Sequence, residues 1–244
     1  MELNISLAAE KIGQIGPLTV TNSLLATWIV MFILCLLAFS VRVSLVVVPN
    51  RWQSFIELVI GGLYGLFDSV VGENAKKFFP LVATLFIFIL VANWFGLFPG
   101  FGSVGFIEHL HGKEEFIPLL RGATADLNTT LALALIAVAA IQYYGLRTLG
   151  SVYIHRFLNF SNPMNFFVGL LETVLEAAKI ISFAFRLFGN IFAGEVLLTV
   201  VAFLIPFFVP LPFLFLEVFV GLIQALVFSM LTAVFLSLAT TAEH

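Results

Sequence analysis

Apolar residues in this chain gather into runs of membrane length, cut at intervals by proline, glycine and charge. The first run extends from about Leu24 to Val48 and stops at Pro49. The next is Phe78 to Phe98, ending at Pro99-Gly100, and a third is Leu127 to Leu146. About 20 apolar residues in a helix cross a hydrocarbon core of about 30 Å, so each run is expected to cross once. Residues 50–77 follow a different pattern. Gln53, Glu57, Gly61, Tyr64, Asp68 and Gly72 recur at helical spacing, with Phe55, Leu58, Leu63, Leu66 and Phe67 mostly around the rest. That pattern predicts an amphipathic helix lying at the interface or packed on partners.

The last two runs are longer than a simple span. As one helix, Asn165 to Ile205 would measure about 60 Å, which demands steep tilt or a break near Gly189 or Gly194. Pro206, Pro210 and Pro212 mark a turn, after which residues 210–241 run back. The expected organisation is one membrane domain, 1–244. It has an N-terminal segment 1–21, helices at 24–48, 50–77, 78–98 and 127–146, and a long tilted hairpin of 165–205 and 210–241. The fold class is an all-α integral membrane protein with about five membrane-embedded helices plus one amphipathic interfacial helix.

Composition strengthens this reading. Hydrophobic residues make up 61% and charged residues 10%, against roughly 25% charged in soluble domains. A soluble fold could not hide that much apolar surface. The net charge of −3 argues against a nucleic-acid partner. The single Cys35 sits in an apolar run, so neither a disulfide framework nor a cysteine metal site is expected. Residues 1–21 lack a basic start and a cleavage motif, so the first apolar run is expected to be a retained anchor. With the N-terminus outside, Arg42, Arg51, Lys76, Lys77, Arg147 and Arg156 lie inside, against Lys11, Lys113 and Arg121 outside. That bias places the C-terminus in the cytoplasm. A bacterial inner membrane is the expected location, with organelles as alternatives.

Chemistry concentrates in the hairpin. Arg186 lies deep in an apolar stretch, where a guanidinium costs roughly 2.5–3.5 kcal/mol on insertion scales. It cannot escape by losing its proton. Glu172, Glu176, Lys179, Arg186 and Asn190 fall within about 40° on either side of Glu172 around a helix, and Ser182 borders that stripe. Glu195 points to the opposite side. On the next helix Glu217, Gly221, Gln224 and Phe228 share a face. Carboxylates at two depths suit proton relays open to opposite sides. A fixed cation between them would interrupt a continuous proton wire and favour ionisation of a passing acid. The chain has no obvious moving acid of its own, so this mechanism asks for a partner that carries one.

The segment Phe185-Arg-Leu-Phe-Gly-Asn-Ile-Phe-Ala-Gly-Glu195 resembles the signature of subunit a, the membrane stator subunit of F-type ATP synthases. Further matches follow in order: Pro49-x-x-x-Gln53-x-x-x-Glu57, Asn93-x-x-Gly96-x-x-Pro99-Gly100, Ala123-Thr-Ala-Asp-Leu-Asn-Thr-Thr130 and Gln224-Ala-x-Val-Phe228. The resemblance covers the chain from about residue 17. It implies that Arg186 is the essential arginine facing a ring of c subunits, whose carboxyl is the missing moving acid. By the same resemblance Glu195, Asn190, Glu217 and Gln224 line the half-channel from outside, and Glu172 and Ser182 line the one to the inside. It also implies peripheral-stalk b subunits as partners, and the soluble catalytic head indirectly. Two departures are Ile180, where many relatives carry proline, and Glu217, where some carry histidine. Glu176 lies outside the family motif.

No cofactor or metal is expected, and no nucleotide, since the G-x-x-x-x-G-K-[ST] phosphate loop is missing. The chain is therefore expected to be no enzyme on its own. Blander roles stay open at single positions. Glu195 and Glu217 would also suit snorkelling near helix ends. Gln224 and Asn190 would also suit interhelical hydrogen bonding, and Lys179 would neutralise Glu172 or Glu176. His109-x-His111 fits a solvated loop better than a metal site. Two rival functions are a proton-coupled secondary transporter, which the lack of an internal repeat disfavours, and a structural scaffold of a membrane complex.

Overall fold

In the computed structural model, residues 8–98, 104–110, 113–157, 162–205 and 208–241 are described. The membrane part consists of α1 (Asn22–Val43), α2 (Arg51–Val71), α3 (Ala75–Gly96), α4 (Leu127–Leu149), the short α5 (Ser151–Phe157), α6 (Pro163–Leu204) and α7 (Pro210–Thr240). Six of these are long and apolar enough to cross a membrane, α2 among them. The chain is an all-α integral membrane protein. Two small antiparallel hairpins decorate its loops: β1 (Lys11–Ile15) with β2 (Leu18–Thr21), and β3 (Gly105–Leu110) with β4 (Lys113–Pro118).

The ends of the helices follow from local chemistry. Thr21, Asn50 and Asp126 cap α1, α2 and α4 by accepting backbone N–H bonds, which satisfies donors that lipid cannot. Gly150 closes α4 at φ 57, with its N–H on the Leu146 carbonyl. That left-handed turn is cheap only for glycine, and it lets α5 fold back at once. The 42 residues of α6 span about 63 Å. The helix runs unbroken through Gly189 and Gly194, so the expected break at either glycine does not occur.

A core of α3, α4, α6 and α7 holds the bundle together. Ala134, Ala137, Ala184, Ala225 and Ala233 are fully buried at the crossings, and Ile89, Leu187 and Phe228 fill the space between them. Small residues let helices approach closely where lipid supplies no hydrophobic drive. A second cluster joins Phe67, Phe78, Ile141, Tyr153 and Leu236, and so ties α2 and α5 to the same bundle. The amphipathic α2 turns Gln53, Leu63, Phe67 and Val71 inward and leaves Phe55, Leu58, Leu66 and Val70 outside.

Candidate functional site

Helix α6 is divided lengthwise. Phe183, Ala184, Leu187, Phe188, Ile191 and Gly194 are buried, at the spacing of one helical face. Ser182, Phe185, Arg186, Gly189, Asn190 and Ala193 form the exposed face. Arg186 therefore points out of the bundle. Its Nη2 donates to Ser182 Oγ one turn away, at 3.2 Å. A side chain added at Gly189 would meet nothing within 4 Å, so this face is a smooth open strip beside a fixed cation.

Helix α7 runs back along the buried face. The Glu217 carboxylate occupies the space that a Cβ on Gly194 would need, and the Phe228 ring packs on Phe183 at 5.0 Å. Each step along α6 is thus matched by a step back along α7. That register sets the half-buried Gln224 level with Leu187, one residue from Arg186.

Toward the end that carries the hairpins, the site becomes acidic. Glu195 lies about 13 Å of helical rise beyond Arg186, on the turn that packs against the segment before α4. Glu217 is 5% exposed. The scaffold around the pair is polar and interlocked. Asn93 Nδ2 donates to the Gly221 carbonyl at 2.9 Å, and Thr124 Oγ1 donates to Asn93 Oδ1 at 2.7 Å. Trp94 Nε1 donates to the Val218 carbonyl at 3.0 Å. The buried Ser23 Oγ donates to Asp126 Oδ2 at 2.7 Å, fastening α1 to the start of α4. Arg121, 8% exposed, reaches in from the same segment and places Nε 3.5 Å from Glu195 Oε2.

Toward the α5 end lies a cavity of about 340 Å³, lined by Arg156, Glu172, Glu176, Lys179, Ser182 and Phe235 among others. Its carboxylates are paired. Arg156 Nε donates to Glu172 Oε2 at 2.6 Å, and Lys179 Nζ donates to Glu176 Oε1 at 2.5 Å. Gln142 Nε2 donates to the other Glu176 oxygen at 2.9 Å, and Tyr153 Oη donates to Gln142 Oε1 at 2.9 Å. Burial first, and then the Glu176 charge, push the Tyr153 phenol above its ordinary value, so it stays a donor. Gly169 allows this approach, because a Cβ there would strike the Phe157 carbonyl. Ser182 lines the cavity and also accepts the Arg186 hydrogen bond, so the arginine stands one hydrogen bond from the cavity wall.

The arrangement sets Glu217 against Gly194, the neighbour of Glu195 in sequence, at one end, and Glu172 and Ser182 in the wall of one cavity at the other. Arg186 stands between them on an open face beside Asn190, with Gln224 behind. Lys179 is on Glu176 rather than Glu172. Sequence reasoning gave no site role to Asn93, Thr124, Arg121, Gln142 and Tyr153. Asn93 and Thr124 do fall in segments whose motifs were visible. Among the described residues no cluster of three metal-ligating side chains occurs, while the side chains of His109 and His111 lie outside what is described.

Comparison with known proteins shows the family of the chain. The family model for the ATP synthase A chain matches residues 24–237. An ATP synthase subunit a from Moorella thermoacetica is 34% identical over 228 residues, covering 93% of this chain and 94% of its own. One from Citrifermentans bemidjiense is 36% identical, covering 91% and 89%. One from Desulfotalea psychrophila is 39% identical over 223 residues, covering 89% and 84%.

Proposed function

This chain belongs to the ATP synthase A chain family, whose role is proton translocation in ATP synthesis, and on that premise we propose that Arg186 separates two offset half-channels in a rotary stator. One half-channel enters at Glu195 and Glu217 and passes Asn190 and Gln224. The other leaves through Ser182 and the cavity beside Glu172. A ring of c subunits slides along the open strip of α6 and carries a carboxyl past the arginine. The single observation that carries this reading is the position of Arg186. It is exposed on an uncovered face, level with Gln224, and linked through Ser182 to the cavity beside Glu172.

The chemistry follows from fixed charge. A protonated ring carboxyl is neutral and crosses lipid at low cost, whereas a carboxylate does not. Near Arg186 the ionised form is favoured, so the acid gives up its proton into the cavity side. It then takes another from the Glu217 side before re-entering lipid. The guanidinium keeps its charge throughout, so no proton wire runs straight through. One charge moving through 100 mV releases about 2.3 kcal/mol, so several transfers drive each ATP. The chain binds no nucleotide in this scheme. It works within a complex with the ring, the peripheral-stalk b subunits and, indirectly, the catalytic head. Its setting is a bacterial inner membrane with the C-terminus in the cytoplasm.

Single cysteines in a Cys35→Ser background test the two-sided access. Glu195→Cys should react with an impermeant thiol reagent from the external side alone, and Glu172→Cys from the cytoplasmic side alone. Reaction of both from one side would overturn the half-channel reading.

A further inference from the structure

The buried Arg121 has no part in the scheme above, yet it carries a second permanent charge at the edge of the bundle. We propose that Arg121 is a positioning residue of the external entrance, which holds the Glu195 carboxylate in place and couples it to the N-terminal segment. The inference rests on the half-channel reading, because it assigns Arg121 a task only if Glu195 carries protons.

Four observations converge. Arg121 is 8% exposed, while the Glu195 side chain keeps 41% of its surface open. The cation is thus the fixed member of the pair, and the Glu195 side chain keeps open surface although its Oε2, the oxygen toward Arg121, is buried. Arg121 Nη1 donates to the Ala8 carbonyl at 3.0 Å, which anchors the guanidinium from the far side. Its plane lies over the Phe192 ring, 5.9 Å from the centroid, one turn before Glu195. Finally, the Nε to Oε2 approach is 3.5 Å, and neither atom has a hydrogen-bond partner among the described residues. The attraction is one of charge more than of a directed bond. Oε2 is buried against the guanidinium, so the open part of the Glu195 side chain lies away from Arg121, and the carboxylate stays put without being covered on every side. The charged groups on the elements around it are Glu217 on α7, Asp126 at the start of α4, and Glu10 and Lys11 in the N-terminal segment, where Glu10 Oε2 accepts from Asn22 Nδ2. Asp126 is already engaged by Ser23 and by the Asn128 backbone. Arg121 is therefore the cation that stands directly against Glu195 at this acidic entrance.

A structural role alone predicts only loss of assembly, so the test reads local charge. With Glu195→Cys and Cys35→Ser in assembled complexes, a negatively charged impermeant thiosulfonate should react faster from the external side than a cationic one. Arg121→Gln should erase that preference, shifting the rate ratio by about tenfold, and Arg121→Lys should retain it. An unchanged ratio in Arg121→Gln overturns the proposal. In vesicles with Glu195 intact, ATP-driven pumping should fall by about tenfold in Arg121→Gln and recover largely in Arg121→Lys. Pumping by Arg121→Gln at the unsubstituted rate, beside an inactive Arg186→Ala control, overturns this inference alone. Normal pumping by the Arg186→Ala control overturns the functional reading beneath it.

Discussion

Replacing Gly194 by alanine should silence proton transport while leaving the subunit folded. A Cβ at this position would overlap the Glu217 carboxylate, since Gly194 is where α6 makes room for that side chain. To regain contact at about 3.5 Å the carboxylate must retreat by more than about 1 Å. The atoms that yield are the tip of a flexible side chain rather than backbone, so the cost in stability is modest, about 1–3 kcal/mol. Function is far less forgiving, because a 1 Å misplacement of a reacting group can cost about 100-fold. The expectation is an assembled complex whose ATP-driven acidification of inverted vesicles falls by about 100-fold. Glu217→Asp, one methylene shorter, should recover much of that loss in the Gly194→Ala background. Two results would refute the reasoning. One is pumping by Gly194→Ala at the unsubstituted rate. The other is a Gly194→Ala/Glu217→Asp double variant no better than the single one.

Gly189 gives the opposite outcome. Its surroundings within the chain are empty, so Gly189→Trp should leave the thermal stability of the isolated subunit unchanged and abolish co-purification of the ring. Asn93→Ala removes the bonds to the Gly221 carbonyl and from Thr124. It should destabilise the subunit by about 1–3 kcal/mol, read as a lower midpoint in a thermal shift assay in detergent. At the cavity, Glu176→Gln leaves Lys179 without its 2.5 Å partner. Passive proton flux should therefore drop more in Glu176→Gln than in the Glu176→Gln/Lys179→Gln double variant, because an uncompensated charge costs more than a missing pair.

The helices and the polar stripe were legible in the sequence because membrane spans write themselves in one dimension. An apolar run of about 20 residues needs no tertiary information, and Arg186 and its neighbours sit on one helix whose angles follow from spacing. Glu195 was already set apart by angle. The structure gives the reason: it faces Arg121, while Arg186 faces outward. The pairing of Glu195 with Arg121 was not legible. It joins residues 74 apart in sequence, across a loop with no periodicity. Likewise Gly194 reads in the sequence as a candidate break, but in space it is a notch for Glu217. The two hairpins escaped notice for a different reason. Each is a short pair of strands beside helices whose hydropathy dominates the pattern, although Gly16-Pro17 was a turn signal. Gln142 and Tyr153 belong to helices read only as spans or loops, and their partnership with Glu176 needs the fold-back of α5 at Gly150.

The central claim is that Arg186 separates two proton paths, and ATP-driven pumping by Arg186→Ala in membrane vesicles, with the ring verified by co-purification, tests it most directly. The expected result is an assembled complex that no longer pumps. An assembled complex that pumps at the normal rate would contradict it and leave Arg186 a structural cation.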